Sequence, residues 1–134
     1  MTTRHGIPLA NIITAANEHD LKQLLPLVFL KYPRIGGKRG RPLDRPVRVT
    51  TDKGYDCQAT RKILAWTGIS TCIPRRGEPE GSSLGTTRWP IERTISWLKQ
   101  FRRLRIRWDR LDEVHQAFHD LGNSLITWRY LAAE

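Results

Sequence analysis

Residues 47–56 read VRVTTDKGYD, and this stretch decides the interpretation of the fold. Apolar and polar side chains alternate over VRVTT, which is typical of a β-strand, and Asp52 follows directly. In open α/β sheets, the carboxyl ends of the strands form the crevice in which ligands bind. The stretch predicts a strand over Val47 to Thr51 and a candidate functional carboxylate at Asp52.

The chain upstream of this strand predicts two more elements and a loop. We predict a strand over Ile7 to Thr14 and a short apolar helix over Leu21 to Leu30, which Pro26 limits or kinks. A flexible basic loop is predicted over Pro33 to Pro46. Its basic residues are Arg34, Lys38, Arg39, Arg41 and Arg45. Asp20 precedes the helix and is interpreted as its N-cap. The basic loop can contact phosphates, and an exposed solvated loop is the alternative.

Downstream of Asp52, helix and strand patterns alternate. The sequence predicts a helix over Cys57 to Trp66, with Asp56 as its N-cap and Gly68 at its C-terminal end. A strand over Ile69 to Pro74 and a loop over Arg75 to Thr87 follow. From Arg88 onward the sequence predicts two helical segments, divided near Trp108 to Leu111. This order is typical of an α/β fold rather than of a helix bundle.

Composition and charge exclude several classes of protein. The chain has 134 residues, with 23 Lys and Arg against 13 Asp and Glu, for a net charge of +10. A hydrophobic fraction of 39% argues against a disordered basic tail, and a folded basic domain commonly binds nucleic acid, a merely basic soluble protein being the alternative. No stretch is apolar enough to span a bilayer, and the start MTTRHG is unlike a signal peptide, so we expect a cytoplasmic protein. Cys57 and Cys72 are predicted to be reduced core thiols.

The helix after Arg88 is predicted to be mostly buried, with a single polar stripe. At about 100° per residue, polar side chains share one face and apolar side chains occupy the others. The stripe consists of Glu92, Ser96, Lys99 and Arg103, and the apolar sides consist of Ile91, Ile95, Leu98, Trp97, Phe101, Leu104 and Trp108. Because an unpaired buried charge is costly, the stripe requires internal pairs, solvent, a metal or a ligand, and an ordinary surface ladder is the alternative.

Two further patterns lie in the C-terminal region. Residues 101–108, FRRLRIRW, interleave Arg102, Arg103, Arg105 and Arg107 with apolar side chains, a pattern that suits phosphate binding. The three- and four-residue spacing of Val114, Phe118, Leu121, Leu125 and Trp128 predicts core packing. His115 and His119 are spaced as in a zinc metalloprotease helix, but Gln116 replaces the glutamate that serves as general base, so zinc catalysis is not predicted.

The stretch DKGYD at residues 52–56, followed by RWPIERTISWLK at residues 88–99, resembles the transposases of bacterial insertion sequences of the IS5 and IS4 type. The similarity extends to GIPLANIITAANEHD near the start, FRRLRIRWDR after Glu92, and HQAFHDLGNSLITWRYL at the end. This resemblance implies a DDE-superfamily catalytic domain over residues 1–134 with an α/β, ribonuclease-H-like fold. It also implies three carboxylates that bind two Mg²⁺ ions, for which Mn²⁺ can substitute.

The resemblance implies residue roles as well. Asp52 matches the second aspartate of the triad and Glu92 its glutamate, both catalytic and metal-binding. Arg88, Glu92 and Lys99 match the family signature of Tyr, two residues, Arg, three residues, Glu, six residues and Lys, with Gly85 at the tyrosine position. The residues then expected to bind DNA are Arg88, Lys99, Arg102, Arg103, Arg105 and Arg107.

One departure concerns the first aspartate of the triad. In the family it lies on the first core strand, upstream of the segment that GIPLA matches, and no acidic residue lies between Met1 and Ile7. We expect an incomplete domain without that strand, inactive alone, which in the full enzyme cleaves and transfers DNA strands during transposition. Three origins of such an incomplete domain are consistent with the sequence: a decayed element, a product of an internal start, and the second reading frame of an element.

The partners expected from the resemblance are insertion-sequence ends and target DNA, together with a second copy of the chain or the missing N-terminal part of the transposase. No membrane partner is expected. Two alternatives stay open, a catalytically inactive DNA-binding remnant and an unstable pseudogene product.

Overall fold

The computed structural model describes residues 1–37, 39–77 and 84–133, and for residues 84–88 it describes the backbone only. Two compact units are present. Unit 1 consists of Met1–Ala15 and Thr86–Glu134, and unit 2 consists of Ala16–Gly85. None of the helices that the structure describes is long and apolar enough to cross a bilayer.

Unit 2 contains a two-stranded parallel sheet with one connecting helix. Strand β1 (Arg48–Thr50) pairs with β2 (Ser70–Cys72), and α2 (Gln58–Trp66) lies between them in the chain. Parallel neighbours need a crossover connection, and α2 supplies it. The predicted order of strand, helix and strand is confirmed, although both strands are shorter than predicted.

The core of unit 2 is small. A 3-10 helix (Asp20–Gln23) leads into α1 (Leu24–Phe29), which packs on the sheet and on α2. The buried apolar residues of this cluster are Leu24, Val28, Val49, Leu64 and Ile69. Burial of these side chains is what holds the short elements together, because so short a parallel pair has few ladder hydrogen bonds of its own.

Three expectations for unit 2 were wrong. His19, not Asp20, is the N-cap of the 3-10 helix, because its Nδ1 atom accepts from the Leu21 N–H at 3.1 Å. The cap position of α2 is Cys57, since Asp56 is engaged by arginines. The two cysteines are free thiols as predicted, but Cys57 is half-buried and Cys72 exposed because each lies at the end of an element.

The basic loop of residues 33–46 has no helix or named strand in its described part, as predicted. Ile35 and Leu43 form an isolated antiparallel bridge, and Arg41 donates to Asp44 at 3.0 Å. Lys38 lies outside the described residues.

Three helical segments follow, α3 (Leu84–Gln100), α4 (Arg102–Arg105) and α5 (Asp112–Leu131), and from Thr86 onward they belong to unit 1. The predicted break near Trp108 to Leu111 is confirmed. Helix α3 begins at Leu84 rather than at Arg88, so the end of the predicted loop over residues 75–87 is helical instead. A second break occurs at Phe101, whose backbone is extended, and for this reason Arg103 does not continue the polar stripe of α3.

The predicted strand over Ile7 to Thr14 is not formed. Only an isolated bridge between Thr2 and Pro8 is present in this part of the chain. The Gln116 side chain of α5 accepts from the Ile13 N–H at 3.1 Å and contacts the Asn11 carbonyl oxygen at 3.4 Å. Side chains, rather than a neighbouring strand, satisfy these backbone groups.

The buried faces of α3 and α5 differ from the predicted ones. Ile95 is 47% exposed, Leu121 56% and Trp128 71%, and Ile91, Val114 and Leu125 are also exposed. Helix α5 instead buries His115, Gly122 and Ile126. A Cβ atom at Gly122 would lie 3.0 Å from Leu104 Cδ1 and 3.2 Å from Leu98 Cδ2. The small glycine lets α5 approach its neighbours at this face, and this close approach decides which side is covered.

Candidate functional site

Asp52 lies beyond the carboxyl end of β1, as predicted, and is separated from the strand by Thr51. The Thr51 N–H donates to the Cys72 carbonyl oxygen at 3.3 Å, so the parallel pairing continues to the residue before Asp52. Asp52 then caps a 3-10 turn (Lys53–Tyr55), its Oδ1 atom accepting from the Gly54 N–H at 2.8 Å. The side chain is half-buried. One carboxylate oxygen is thus oriented by the turn at the carboxyl end of a strand.

A second carboxylate, that of Asp20, affects Tyr55 in the same turn. The pKa of the Tyr55 hydroxyl is raised above its ordinary value, mainly by burial and further by the negative charges of Asp20 and Asp52. The 3-10 helix that starts at Asp20 packs against the turn that Asp52 caps. Asp20, which the sequence pattern presented as a helix cap, therefore acts together with Asp52 on the Tyr55 hydroxyl.

Asp56 and two arginines form a compact polar cluster beside this turn. Asp56 accepts from Arg61 at 2.8 and 2.9 Å and from the Arg76 backbone N–H at 2.9 Å. The Asp56 side chain is 18% exposed and that of Arg61 27%. The pKa of Asp56 is lowered, first by the hydrogen bond from the Arg76 N–H and then by the Arg61 side chain. Asp56 is consequently a charged structural partner.

Glu92 lies on an exposed face of α3. Ser96 and Lys99 lie on the same face and are also exposed, so the predicted stripe exists as far as Lys99 and faces solvent. No described basic side chain forms an ion pair with Glu92. Arg88 belongs to the same helix, but its side chain lies outside the described atoms.

The residues that follow Glu92 anchor α3 to the N-terminal segment. The Arg93 guanidinium lies 4.2 Å from the centre of the Trp89 ring and 4.7 Å from that of Trp97, and it donates to the His5 carbonyl oxygen. The buried Thr94 hydroxyl lies within hydrogen-bond distance of the Gly6 and Pro90 carbonyl oxygens. Gly6 has a φ of 76°, which favours glycine, and a Cβ atom there would lie 3.1 Å from the Pro90 carbonyl oxygen and 2.7 Å from Arg93 Nη2.

The four arginines of residues 102–107 are not equivalent. Arg103 donates to Asp109 at 3.2 Å and lies over the Phe118 ring, and Arg107 pairs with Asp112. Arg105 donates to the Lys99 carbonyl oxygen at 3.4 Å. Arg102 is exposed and has no described partner. Arg102, together with Lys99, is therefore the cation most available for a phosphate among the predicted DNA-binding residues with described side chains.

The two histidines of α5 pack against each other with ring centroids 4.9 Å apart. His115 Nδ1 lies 3.5 Å from Asp109 Oδ2, and both side chains are nearly inaccessible. Burial and the neighbouring His115 lower the pKa of His119, and the charge of Asp120 acts in the opposite direction. Within the described parts of both units, no group of three or more His, Cys, Asp or Glu side chains is arranged to hold a metal ion.

Several contacts were not anticipated from the sequence. Arg93 has an aromatic residue four positions away on each side, a helical spacing that could have indicated the stacking. No comparable signal links Asp56 to Arg76, because the two meet only when β2 is paired with β1. The same holds for Asp20 and Asp52, which lie far apart in the sequence.

A family profile described as "Transposase DDE domain" matches residues 1–121. A Burkholderia cepacia protein named as a transposase for insertion sequence element IS402 is 48% identical over 131 residues. The aligned region covers 98% of this chain and 62% of that protein, so the chain spans less than two thirds of its relative. No solved structure matches the chain.

Proposed function

Because the chain belongs to the transposase DDE domain family, we propose that it forms part of the catalytic domain of an insertion-sequence transposase. In the full enzyme it acts in metal-dependent DNA strand cleavage and transfer. The observation that carries the proposal is the Asp52 carboxylate, oriented by Gly54 at the carboxyl end of β1 in a chain that matches the family over residues 1–121. We place this activity in the cytoplasm, where the DNA of a bacterial cell lies.

Asp52 and Glu92 are the proposed catalytic and metal-binding residues. A half-buried aspartate with one oriented oxygen suits a hard divalent cation, since Mg²⁺ prefers oxygen ligands and retains several waters. Glu92 offers an exposed carboxylate with no described ion-pair partner. When bound, two Mg²⁺ ions, or Mn²⁺ in their place, supply charge stabilisation on a phosphodiester and activation of the attacking hydroxyl. The two residues belong to different units, and each is described within its own.

Basic side chains of unit 1 are proposed to bind the DNA backbone. Lys99 and Arg102 contribute most of the phosphate contacts, because both are exposed and their charges have no described acidic partner. Arg103 and Arg107 contribute less, because Asp109 and Asp112 already neutralise them. Arg88 and Arg105 complete the proposed set. The proposed partners are insertion-sequence ends, target DNA, and a second copy or the remaining part of the transposase.

The test is a cleavage assay on DNA that carries the terminal repeats. The chain is joined to the part of the Burkholderia cepacia relative that it does not match, and Mg²⁺-dependent nicking is measured. Asp52→Asn and Glu92→Gln are expected to abolish nicking. Asp44→Asn and Glu113→Gln remove carboxylates elsewhere in the same two units and are the matched controls. Full activity in either Asp52→Asn or Glu92→Gln would contradict the assignment.

A catalytically inactive DNA-binding remnant is the second candidate. It is favoured by the exposure of Lys99 and Arg102, whose charges have no described acidic partner. This function requires salt-sensitive DNA binding without nicking, because phosphate contacts release counterions. A gel-shift series in rising salt, run with Arg102→Gln and Asp52→Asn, separates the two candidates. The remnant is supported if only Arg102→Gln weakens binding and no variant or wild-type protein nicks DNA.

A further inference from the structure

Asp56 and Arg61 connect the segments that leave the two strands of the sheet. Asp56 follows the turn after β1, and its Oδ2 atom accepts from the backbone N–H of Arg76, which follows β2. Arg61, on α2, donates both to Asp56 Oδ1 and to the Ile73 carbonyl oxygen, the latter at 2.6 Å. One carboxylate and one guanidinium thus tie the start of α2 to the exit of β2.

The Arg76 side chain contacts the turn that Asp52 caps. Its Nε atom lies 3.5 Å from the Lys53 carbonyl oxygen, and its Nη2 atom lies 3.5 Å from the Gly54 carbonyl oxygen. The Lys53 carbonyl and the Gly54 N–H belong to the same peptide group, and that N–H donates to Asp52 Oδ1 at 2.8 Å. A single peptide therefore accepts from Arg76 and donates to Asp52. Hydrogen bonds in such a chain polarise one another.

We propose that Asp56, Arg61 and Arg76 form a clamp that positions the Asp52 carboxylate for a divalent cation. The clamp rests on the proposed function, because it takes Asp52 as a metal ligand. A carboxylate that is already oriented loses less conformational freedom when a cation binds, so its affinity is higher. The three clamp residues are positioning residues, since they act through the turn and not on the metal or the DNA.

The burial of the clamp supports this role. The Asp56 side chain is 18% exposed and that of Arg61 27%, so solvent screens their interaction less than it screens a surface pair. The ion pair of Asp44 with Arg41 provides the contrast, because it lies on the basic loop with side chains that are 42% and 82% exposed. Asp44→Asn is therefore a matched control for Asp56→Asn within unit 2.

The test is a titration of the chain with Mn²⁺, followed by electron paramagnetic resonance in the absence of DNA. Asp52→Asn is expected to abolish the site. Asp56→Asn and Arg76→Gln are expected to weaken Mn²⁺ binding about 10-fold, as is typical when a residue that orients a metal ligand is removed. Asp44→Asn should leave the affinity unchanged. Arg76→Gln keeps the backbone N–H that binds Asp56, so it remains informative if Asp56→Asn fails to fold.

A second measurement reports on positioning without metal. Hydrogen exchange of the Gly54 amide, followed by nuclear magnetic resonance, should be faster in Arg76→Gln than in the wild type. Arg76→Lys keeps the charge and can reach one of the two carbonyl oxygens, so it should restore part of both the protection and the Mn²⁺ affinity.

The outcomes separate the clamp from the function on which it rests. Wild-type Mn²⁺ affinity in Asp56→Asn and Arg76→Gln, with binding lost in Asp52→Asn, would overturn the clamp and leave the proposed function standing. Undiminished binding in Asp52→Asn would contradict the proposed function itself. If Arg76→Gln lowered DNA affinity while Mn²⁺ affinity and Gly54 exchange stayed at wild-type values, Arg76 would be a DNA contact and the clamp would be wrong.

Discussion

The turn at Asp52 and the segment of α3 around Glu92 present the same chemical group in different ways. Asp52 is half-buried, and its carboxylate accepts directly from the Gly54 N–H. Glu92 is exposed, and the contacts that support it belong to Arg93 and Thr94, which fasten the helix to the N-terminal segment. One carboxylate is held by its own hydrogen bond, and the other by the anchoring of the helix that carries it.

The two regions should therefore be sensitive to substitutions at different kinds of position. The Asp52 turn depends on atoms in direct contact with it and on the small core beneath it. The Glu92 segment tolerates changes on its exposed face and depends on the residues that anchor α3. Four experiments test this contrast, beginning with the largest expected effect.

Removal of a core side chain should separate the regions most clearly. Leu64 is fully buried under the sheet, whereas Ile95 on α3 is 47% exposed. We expect Leu64→Ala to lower the free energy of unfolding by about 2–5 kcal/mol, because it leaves a cavity. Ile95→Ala should cost less than about 1 kcal/mol. Urea denaturation followed by tryptophan fluorescence measures both, and equal losses would refute the contrast.

Substitution at Arg93 tests the anchoring of α3. Arg93→Ala removes the stacking on Trp89 and Trp97 and the hydrogen bond to the His5 carbonyl oxygen, so we expect a loss of about 1–3 kcal/mol. Glu92→Gln, at the neighbouring exposed position, should change stability by no more than about 0.5 kcal/mol. Thermal unfolding by circular dichroism gives both values. A Glu92→Gln variant as unstable as Arg93→Ala would show that Glu92 has a structural partner.

A methyl group at Gly54 tests the direct support of Asp52. A Cβ atom there would lie 3.0 Å from Asp52 Oδ1, so the carboxylate must move in Gly54→Ala. We expect a loss of about 1 kcal/mol in the free energy of unfolding and a changed carboxyl chemical shift of Asp52. Gly36→Ala is the matched control, since a Cβ atom at Gly36 meets nothing within 4 Å. An unchanged Asp52 resonance in Gly54→Ala would mean that the turn yields without effect on the carboxylate.

The smallest expected effect concerns pH, and it falls in a different window for each unit. The pKa of His119 in unit 1 is lowered from 6.5 by burial and by His115, so the unfolded chain binds its proton more readily and stability falls as the pH drops below about 6.5. The pKa of Asp56 in unit 2 is lowered from 3.8, so its contribution is present above that pH and is lost as the pH falls through its folded pKa.

Urea midpoints measured from pH 7 to pH 2 check both windows. His119→Gln should flatten the first decline and leave the second, whereas Asp56→Asn should flatten the second and leave the first. A decline near pH 6.5 that persists in His119→Gln would assign that step to another group.

The sequence was most informative where structure depends on near neighbours. The alternation in VRVTT placed β1 and hence Asp52, and Gly68, with a φ of 77°, ends α2 as predicted. Spacing also placed Glu92 and Lys99 on one face of α3, but the expectation that this helix is mostly buried was wrong. Each of these features is set by a few adjacent residues.

Features that depend on distant partners were not predictable. Periodicity shows that α5 has an apolar face, but it does not reveal that the face with His115 and Gly122 is the buried one. Arg103 and Arg107 look like free cations in the sequence, yet the path of the chain between α4 and α5 brings Asp109 and Asp112 to them. The clamp was missed for the same reason, because Arg76 reaches Asp56 only across the paired strands.

The division of the chain also sets an order of assembly during synthesis. Unit 2 is one continuous stretch, Ala16–Gly85, whereas unit 1 combines Met1–Ala15 with Thr86–Glu134. Domains fold as units as they leave the ribosome, so unit 2 can fold while α5 is still being made. Met1–Ala15 forms its contacts with α5 later, because the side chains that hydrogen-bond to Asn11 and Ile13 belong to Gln116 and Asn123. Closure of unit 1 accordingly requires synthesis to have passed Asn123, after the whole of unit 2 has been made.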